Sequence, residues 1–356
     1  MASSKEAFTL ISKKSTMAGL VVIGLVVALA GGYFWWCSRP SPPPPYTGPV
    51  EKLSLGTTTI MSTLLWVADQ NGYFQAQGLD VTIQMYDAGL FAVNDLLAGK
   101  VQVAACAEFV LATKIVDGIE NLRGLGTIGS SHNHKIIVRR DRGIAKTEDL
   151  AGKRIGVTRQ TIGDYFLDLF LTLHGLAVEQ VQLVNLRPQE MAEALSRGQV
   201  DAVITWGTFV YTIEKQMGEE VVSWPGQIYQ SYYWMLISTP QFIQAKPEVL
   251  IRMFRALARA EEFVKQHPGA AKEITARRIA MPLDYMEYCL SVEKYELKMG
   301  QRVLMAMEDE ARWAIRHNLT DKKDIPTYLD YLYLEPLAAV KPGAVKLMAR
   351  EKKPNQ

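Results

Sequence analysis

The chain has 356 residues, of which 48% are apolar and 21% charged; this composition excludes a disordered protein and is sufficient for one or two buried cores. Its formal net charge is +2, but the residues before Ser41 hold four of the 39 basic side chains and one of the 37 acidic ones, which leaves 35 basic and 36 acidic side chains in the remainder. A nearly neutral globular part argues against a nucleic-acid-binding protein, because such a protein needs a net basic surface.

The first predicted element is a transmembrane helix. Residues 17–36 carry no charge, and a helix of this length spans about 30 Å, the thickness of a bilayer core. Lys13 and Lys14 precede the run, and aromatic residues close it at the other end, where amphipathic rings favour the membrane interface. The positive-inside rule therefore predicts a cytoplasmic tail over residues 1–16, a single anchor over 17–37 in the inner membrane, and the main domain in the periplasm.

Two other fates of this segment stay open. Signal peptidase could cut after Ala28-Leu29-Ala30, which matches the A-x-A pattern, but cleavage there would leave the aromatic run Tyr33–Trp36 near the new terminus. Lipidation of Cys37 is the second alternative, although bacterial lipoproteins carry a small residue before the modified cysteine and Trp36 is not small. An uncleaved anchor is the favoured interpretation.

A proline-rich linker follows over residues 38–49. Its run Pro42–Pro45 favours polyproline II, which advances about 3.1 Å per residue. Whether the linker is stiff or unstructured, it separates the folded part from the membrane.

Alternating strands and helices begin after the linker. Periodicity predicts strands at 52–57, 79–86 and 101–106, with helices at 63–71 and 90–98 between them. Repeated β-α-β units with short connections are typical of an α/β fold with mainly parallel strands.

The same order of elements recurs further along the chain. Strands are predicted at 154–158, 181–186 and 200–205, with helices at 163–173 and through Met191 and Leu195. Gln77-Gly78-Leu79 and His174-Gly175-Leu176 stand at matching points, just before the second strand of each unit. This repetition predicts two similar α/β lobes.

The last third of the chain is mostly helical. The aromatic, β-prone run 232–238 predicts a strand that returns the chain from the second lobe to the first. Helices are predicted after it at 247–264, 268–279, 282–290 and 301–317.

Six segments form an ordered set of short motifs. They are Asn71-Gly72-Tyr73-Phe74, Gly78-Leu79-Asp80-Val81, Leu97-Ala98-Gly99-Lys100-Val101, the stretch from Glu148 to Val157, Gly198-Gln199-Val200-Asp201-Ala202-Val203, and the helical stretch from Pro247 to Pro268. In this order the set resembles the nitrate/sulfonate/taurine solute-binding proteins, whose relatives include thiamine-pyrimidine synthases. The resemblance runs from Leu53 to about Pro282 and is specific for the fold, but much less specific for the ligand.

This resemblance implies a type II periplasmic-binding-protein fold, in which two lobes close on a ligand in the cleft between them. The first lobe would comprise residues 50–138 and 233–356, including the C-terminal helices, and the second lobe residues 139–232. The resemblance also implies a small-molecule ligand, with an ABC permease and ATPase as partners.

The turns at the carboxyl ends of the predicted strands are the candidate ligand site, because open α/β sheets bind ligands there. They supply the candidates Thr58, Thr59, Asp87, Glu108, Thr158, Arg159 and Thr161. Helix capping is the alternative for a single threonine, but Thr58 and Thr158 stand at matching first turns of the two lobes, which favours ligand contact.

Charge and aromatic residues in these turns leave the ligand class open between anionic and heterocyclic molecules. The forked guanidinium of Arg159 could pair with an anion, whereas Glu108 could repel one or simply favour the helix dipole. Trp206, at the end of a strand, and Tyr232, at the return crossing, offer flat faces to a ligand; packing in the core is the alternative for both.

The sequence contains no recognisable catalytic or cofactor motif. A P-loop, an HExxH pair and a cysteine cluster are absent, which argues against an enzyme resembling the pyrimidine synthases. His132 and His134 have strand spacing, but no third metal ligand is evident, so no metal site is predicted. Cys106 and Cys289 are expected to be buried thiols, with a disulfide between them left open.

The sequence therefore predicts a membrane-anchored solute-binding protein without a cofactor. The alternative is a sensor, or an accessory subunit of a membrane complex, that reuses the same fold without transport, because fold alone does not separate these functions.

Overall fold

The computed structural model describes residues 46–227 and 230–348. The predicted cytoplasmic tail, the anchor over 17–37 and most of the linker lie outside these residues. Within the described part, no helix is both long and apolar enough to cross a membrane.

Strands and helices alternate between residues 51 and 116 and again between residues 154 and 217, as their periodicity predicts. The strands are β1 (Glu51–Thr57), β2 (Leu79–Met85), β3 (Val103–Ala107), β4 (Arg123–Ser131), β5 (His134–Arg139), β6 (Arg154–Val157), β7 (Gln182–Asn185), β8 (Ala202–Trp206), β9 (Val221–Pro225), β10 (Tyr232–Ser238), β11 (Glu293–Lys294), β12 (Met299–Gly300) and β13 (Val345–Lys346). The α-helices are α1 (Thr63–Gln70), α2 (Gly89–Leu97), α3 (Glu108–Val116), α4 (Ile162–Leu173), α5 (Met191–Ser196), α6 (Gly207–Met217), α7 (Pro240–Ala245), α8 (Pro247–Gln266), α9 (Pro268–Ile279), α10 (Leu283–Val292), α11 (Gln301–Arg316) and α12 (Glu335–Val340).

Two mixed sheets form the two lobes. The first lobe contains the six-stranded sheet β11-β4-β10-β3-β1-β2, and the second contains the five-stranded sheet β7-β6-β8-β5-β9. In each sheet three neighbouring strands of the β-α-β units pair in parallel. The predicted parallel units are therefore present, with antiparallel strands added beside them.

The antiparallel strands have a simple topological cause. β5 carries the chain into the second lobe and pairs antiparallel with β8 and β9; β10 carries it back and pairs antiparallel with β3 and β4. A strand that arrives from the other lobe enters its sheet at the cleft. Since the parallel strands end at the cleft, the arriving strand must run the opposite way.

The first crossing falls earlier than the boundary expected from the sequence. β4 ends at Ser131 in the first sheet, and β5 begins at His134 in the second, five residues before the expected boundary at residue 139. Residues 134–138 are β-prone in either lobe, so only strand pairing decides to which sheet they belong. The return crossing lies between Pro225 and Tyr232 and runs beside the first one, because Pro225 pairs with Lys135 in the second sheet and Tyr232 pairs with Ser131 in the first.

The C-terminal helices complete the first lobe. α8 packs against α1 and α12, and Leu250, Phe254 and Leu257 of its apolar face are fully buried. α11 packs against α3 in the same lobe. Cys106 and Cys289 are buried free thiols, as expected from their apolar surroundings.

Candidate ligand-binding site

A small cavity lies where the carboxyl ends of the parallel strands of both lobes meet the two crossings. Its volume is about 40 Å³, enough for roughly three water molecules. The lining residues are Thr58, Thr59, Met61, Ala88, Gly89, Leu90, Ala107, Val110, Asn133, His134, Thr161, Ile162, Trp206, Tyr232 and Trp234. They come from the first lobe, the second lobe and both crossings, so any relative movement of the lobes changes the size of this cavity.

Aromatic rings form one wall of the cavity. The ring of His134 lies between those of Tyr232 and Trp206, with centroid distances of 5.2 Å and 5.5 Å. Tyr232 in turn meets Trp234 edge to face, with a centroid distance of 6.4 Å. Such rings offer flat, polarisable surfaces to an alkyl chain, a ring or a cation.

Two polar groups in this wall are buried without the usual hydrogen bonds. Trp234 is 6% exposed, and its Nε1–H has no hydrogen-bond partner among the described residues. His134 is 3% exposed, and burial lowers its pKa to about 3, although an interaction with Gln227 acts in the opposite direction. The imidazole is therefore neutral at neutral pH and presents one donor and one acceptor nitrogen.

The N-termini of four helices meet at the cavity. Gly89 and Ile162 are the first residues of α2 and α4 and belong to the lining. Ala107 and Trp206 immediately precede α3 and α6 and belong to it as well. The free N–H groups and the positive dipole ends of these helices favour an anionic group without any cationic side chain.

Charged side chains are absent from the described lining. Anion attraction in the cavity therefore comes from backbone dipoles, and the aromatic wall supplies the apolar contact. This arrangement fits a small molecule with one compact anionic or polar group and a short apolar or aromatic body.

Five of the nine candidate residues from the sequence lie in this lining: Thr58, Thr59, Thr161, Trp206 and Tyr232. The hydroxyl of Thr161 donates to the carbonyl of Thr158 at 2.7 Å and does not cap α4. The hydroxyl of Thr158 donates to the carbonyl of Leu186 at 2.8 Å, and Thr158 lies outside the cavity. Neither threonine therefore acts as a side-chain helix cap.

Arg159 and Asp87 lie outside the cavity, at the mouth of the cleft. Arg159 Nη1 is 3.1 Å from the carboxylate of buried Asp164. Gln160, the next residue of the turn between β6 and α4, has a left-handed backbone conformation with φ 61°. Asp87, in the first lobe, faces Arg187 of the second lobe at 3.6 Å. Arg159 and Arg187 also line an outer cavity of about 630 Å³. Contact of Arg159 or Asp87 with a ligand that extends out of the inner cavity therefore stays a prediction.

Glu108 is buried behind the cavity and is not part of its lining. Its Oε2 accepts a hydrogen bond of 2.8 Å from the backbone N–H of Tyr233, at the start of β10. Burial raises the pKa of Glu108 to about 8, so its carboxyl group is largely protonated at neutral pH. A neutral Glu108 exerts little repulsion on an anion in the cavity.

Asn133 and His134 line the cavity although sequence reasoning did not name them as ligand contacts; Trp234, from the same aromatic run as Tyr232, lines it as well. They lie at or beside the crossings, where the chain passes between the sheets. The sequence signal that could have indicated these residues is the pair of β-prone segments at which the chain passes from the first lobe to the second and back. His132 is exposed whereas His134 is buried, and within residues 46–227 and 230–348 no group of three His, Cys, Asp or Glu side chains could hold a metal ion.

Curated relatives of the chain include binding proteins. A putative binding protein of Brucella abortus (strain 2308) is 25% identical over 217 residues, which are 59% of this chain and 66% of that protein. The taurine-binding periplasmic protein of Escherichia coli (strain K12) is 29% identical over 145 residues, which are 41% of this chain and 45% of that protein. The chain thus spans slightly under two thirds of the Brucella relative and less than half of the taurine-binding one.

Solved structures show the same fold. The alkanesulfonate-binding protein SsuA from Xanthomonas axonopodis pv. citri, bound to MOPS, has a TM-score of 0.69 at 17% identity, covering 81% of this chain and 100% of that one. The desulfurization enzyme DSZB has a TM-score of 0.60 at 15% identity, covering 82% of this chain and 99% of that one. At these identities the likeness concerns the fold alone, and it confirms the α/β periplasmic-binding-protein fold.

The chain also matches a protein family. Residues 60–271 match the family described as NMT1/THI5 like. The matched residues include β-α-β units of both lobes and the start of the C-terminal helices. The match covers more than half of the chain and agrees with the resemblance seen in the ordered motifs. This chain belongs to the NMT1/THI5-like family.

Proposed function

We propose that the protein is a membrane-anchored, extracytoplasmic solute-binding protein that captures a small organic molecule between its lobes for an ABC importer. One observation carries the proposal: the cavity between the lobes combines an aromatic wall, four helix N-termini and no charged side chain among its described lining residues. Thr58, Thr59, Thr161, Trp206 and Tyr232 are the proposed ligand contacts within it.

The proposed ligand is a small organic anion of the sulfonate type. Its charged group would bind at the helix N-termini, and its remainder would contact the rings of Trp206, Tyr232 and Trp234. A relative binds taurine, and a structural neighbour binds MOPS, which supports this class. Residues of both lobes line the cavity, so separation of the lobes would open it for ligand entry.

The proposed location depends on the N-terminal segment. An uncleaved helix over residues 17–37 would hold the binding domain at the periplasmic face of the inner membrane and limit it to a fixed partner, an ABC permease with its ATPase or another membrane complex. The mass of the mature protein from membranes tests the anchor. An intact N-terminus supports it, a start at Gly31 overturns it, and a lipid mass on Cys37 replaces it with lipidation.

Thermal stability in the presence of ligands tests the binding function. A ligand at 100 times its dissociation constant stabilises the folded chain by about 2.7 kcal/mol. We expect one compound from a panel of taurine, alkanesulfonates, nitrate, pyrimidines and amines to raise the melting temperature of the full-length chain. If none does so, the transport function is overturned.

A second candidate function is a sensor or an accessory subunit of a membrane complex. The contacts between the lobes outside the cavity, Trp313 with Asp168 and Arg187 with Asp87, favour this alternative, because they connect the lobes independently of a ligand. Co-purification of a membrane complex with the intact chain, together with a negative ligand panel, would support it. Catalysis is disfavoured because relatives of the chain are named as binding proteins, one for taurine and one, putatively, for aliphatic sulfonates.

A further inference from the structure

A buried chain of hydrogen bonds connects the cavity to the C-terminal part of the protein. Asn133, between β4 and β5, lines the cavity and donates through Nδ2 to Oε1 of Glu293 at 2.9 Å. The hydroxyl of Tyr295 donates to Oε2 of the same carboxylate at 2.5 Å. The hydroxyl of Tyr232, also in the lining, donates to Oδ1 of Asn133 at 3.3 Å.

The carboxylate dictates which way the Asn133 amide is turned. An ionised carboxylate only accepts hydrogen bonds, so the NH₂ group of Asn133 must face Glu293 and the carbonyl oxygen must face the other side. That oxygen meets Tyr232 and has a second lone pair. The hinge side of the cavity therefore presents a hydrogen-bond acceptor beside the aromatic wall.

Glu293 is held in place by a short strand and not by either lobe's β-α-β units. In β11 it pairs with Ser131, the last residue of β4, and the N–H of His132 donates to the carbonyl of Val292 at 3.3 Å. Both the carboxylate and the amide are almost fully buried, with 6% and 1% of their residues' surface exposed. A side chain from the C-terminal region thus sets the orientation of a side chain in the cavity.

We propose that Glu293 is a positioning residue that fixes Asn133 with its oxygen toward the cavity, and that the site therefore selects a ligand bearing an N–H donor near its hinge end. The inference rests on the proposed small-molecule function and narrows it. Within the sulfonate class it favours amino-sulfonates, whose ammonium group would meet the Asn133 oxygen and the aromatic rings while the sulfonate binds at the helix N-termini.

Taurine and ethanesulfonate are suitable probes, because they share the sulfonate and differ in the amino group. With the full-length chain, calorimetry should show at least about tenfold tighter binding of taurine than of ethanesulfonate, since ethanesulfonate lacks the ammonium group that donates a charge-assisted hydrogen bond. Glu293→Leu should remove this preference, because Asn133 loses the acceptor that orients it. Glu293→Gln should keep it, because the glutamine oxygen still accepts from Asn133 while its NH₂ group faces Tyr295.

An NMR measurement tests the orientation without any ligand. The side-chain amide signals of Asn133, assigned by their loss in Asn133→Ser, should shift with a midpoint near pH 7, because burial raises the pKa of Glu293 to about 7. The other titratable groups that interact electrostatically with Glu293 have raised pKa values and are therefore neutral at that pH. They are Tyr232, Tyr285, Tyr288, Cys289 and Tyr295. The shift should be absent in Glu293→Gln.

Each outcome decides between the alternatives. If Glu293→Gln and Glu293→Leu lose the taurine preference to the same extent and lower the melting temperature equally, Glu293 has only a structural role. That result would overturn the proposal that Glu293 positions Asn133. Identical Asn133 signals in wild type and Glu293→Leu at all pH values would overturn it as well. If neither probe binds the wild type, the sulfonate proposal fails, and the NMR titration alone decides whether Glu293 orients Asn133.

Discussion

The indole Nε1–H of Trp313 donates a hydrogen bond of 2.9 Å to Oδ2 of Asp168. Trp313 belongs to α11, which packs on the first lobe, and Asp168 belongs to α4 of the second lobe. The indole ring also lies between Phe109 of the first lobe and Tyr165 of the second, with centroid distances of 5.7 Å and 5.6 Å. A C-terminal helix therefore connects the two lobes at a place separate from the ligand cavity.

Trp313→Phe should weaken this connection. The phenyl ring retains packing, but buried Asp168 loses its indole donor and keeps only His317, whose Nε2 is 3.2 Å away. Leaving a buried acceptor without its donor costs about 1–3 kcal/mol, which urea denaturation would measure. Small-angle scattering should also show a larger radius of gyration. Asp168→Asn is the control, because an amide oxygen still accepts from Trp313; an unchanged stability of Trp313→Phe would contradict the connection.

Glu310→Gln should stabilise the protein at alkaline pH. Burial raises the pKa of Glu310 well above its ordinary value, and the nearby Glu108 raises it further; the pKa of Glu108 itself is raised from 4.5 to about 8. The folded chain therefore holds more protons than the unfolded chain between these values, and its stability decreases as pH rises from 4.5 towards 8. Removing one carboxyl group should reduce that decrease by more than about 1 kcal/mol.

Melting temperatures at pH 5 and pH 8 would show the effect of Glu310→Gln as a gain at the higher pH. Glu308→Gln on the same helix is the matched control, since Glu308 is 45% exposed and pairs with Arg312 on the surface. Its effect should stay below about 0.5 kcal/mol at both pH values. If the melting temperatures of the two variants change equally between pH 5 and pH 8, the buried carboxyl groups of Glu108 and Glu310 do not control the pH dependence of stability.

Trp206→Ala should weaken ligand binding and leave the fold intact. Trp206 is only partly buried, at the end of β8, and contacts the rings of His134 and Phe209 beside the cavity. Loss of a stacked ring should weaken binding of the compound found in the panel by roughly tenfold to a hundredfold. Trp224→Ala is the control in the same lobe, because Trp224 stacks on Phe170 and does not line the cavity. A collapse of the melting temperature in Trp206→Ala would instead place Trp206 in the core.

Gly89→Ala should destabilise the protein. A Cβ atom at Gly89 would lie 2.6 Å from the Cα and Cβ of Cys106 and 3.0 Å from the indole of Trp234, at the first residue of α2. The backbone of β3 or the cavity wall would have to move, at a cost of about 1–3 kcal/mol. Gly269→Ala in α9 is the control; its Cβ would meet no atom within 4 Å, and replacing a helical glycine should stabilise by about 0.5–1 kcal/mol. Equal effects on the melting temperature would contradict this account.

Local structure followed the sequence closely. The helix expected at 63–71 is α1 (Thr63–Gln70), and the strand expected at 52–57 is β1 (Glu51–Thr57). Periodicity predicts such elements because the residues on one face of a helix or strand recur at a short, fixed spacing along the sequence. The turns at the strand ends were also visible, and five residues from those turns and the return crossing line the cavity.

The sequence by itself thus determined the repeated α/β units and the family. Only the tertiary structure decided which polar groups meet, because Asn133 and Glu293 are 160 residues apart and Asp168 and Trp313 are 145 apart. It also decided that Arg159 pairs with Asp164 and that Glu108 lies behind the cavity wall. Contacts between distant segments depend on strand order and on the packing of the C-terminal helices, which no local pattern encodes.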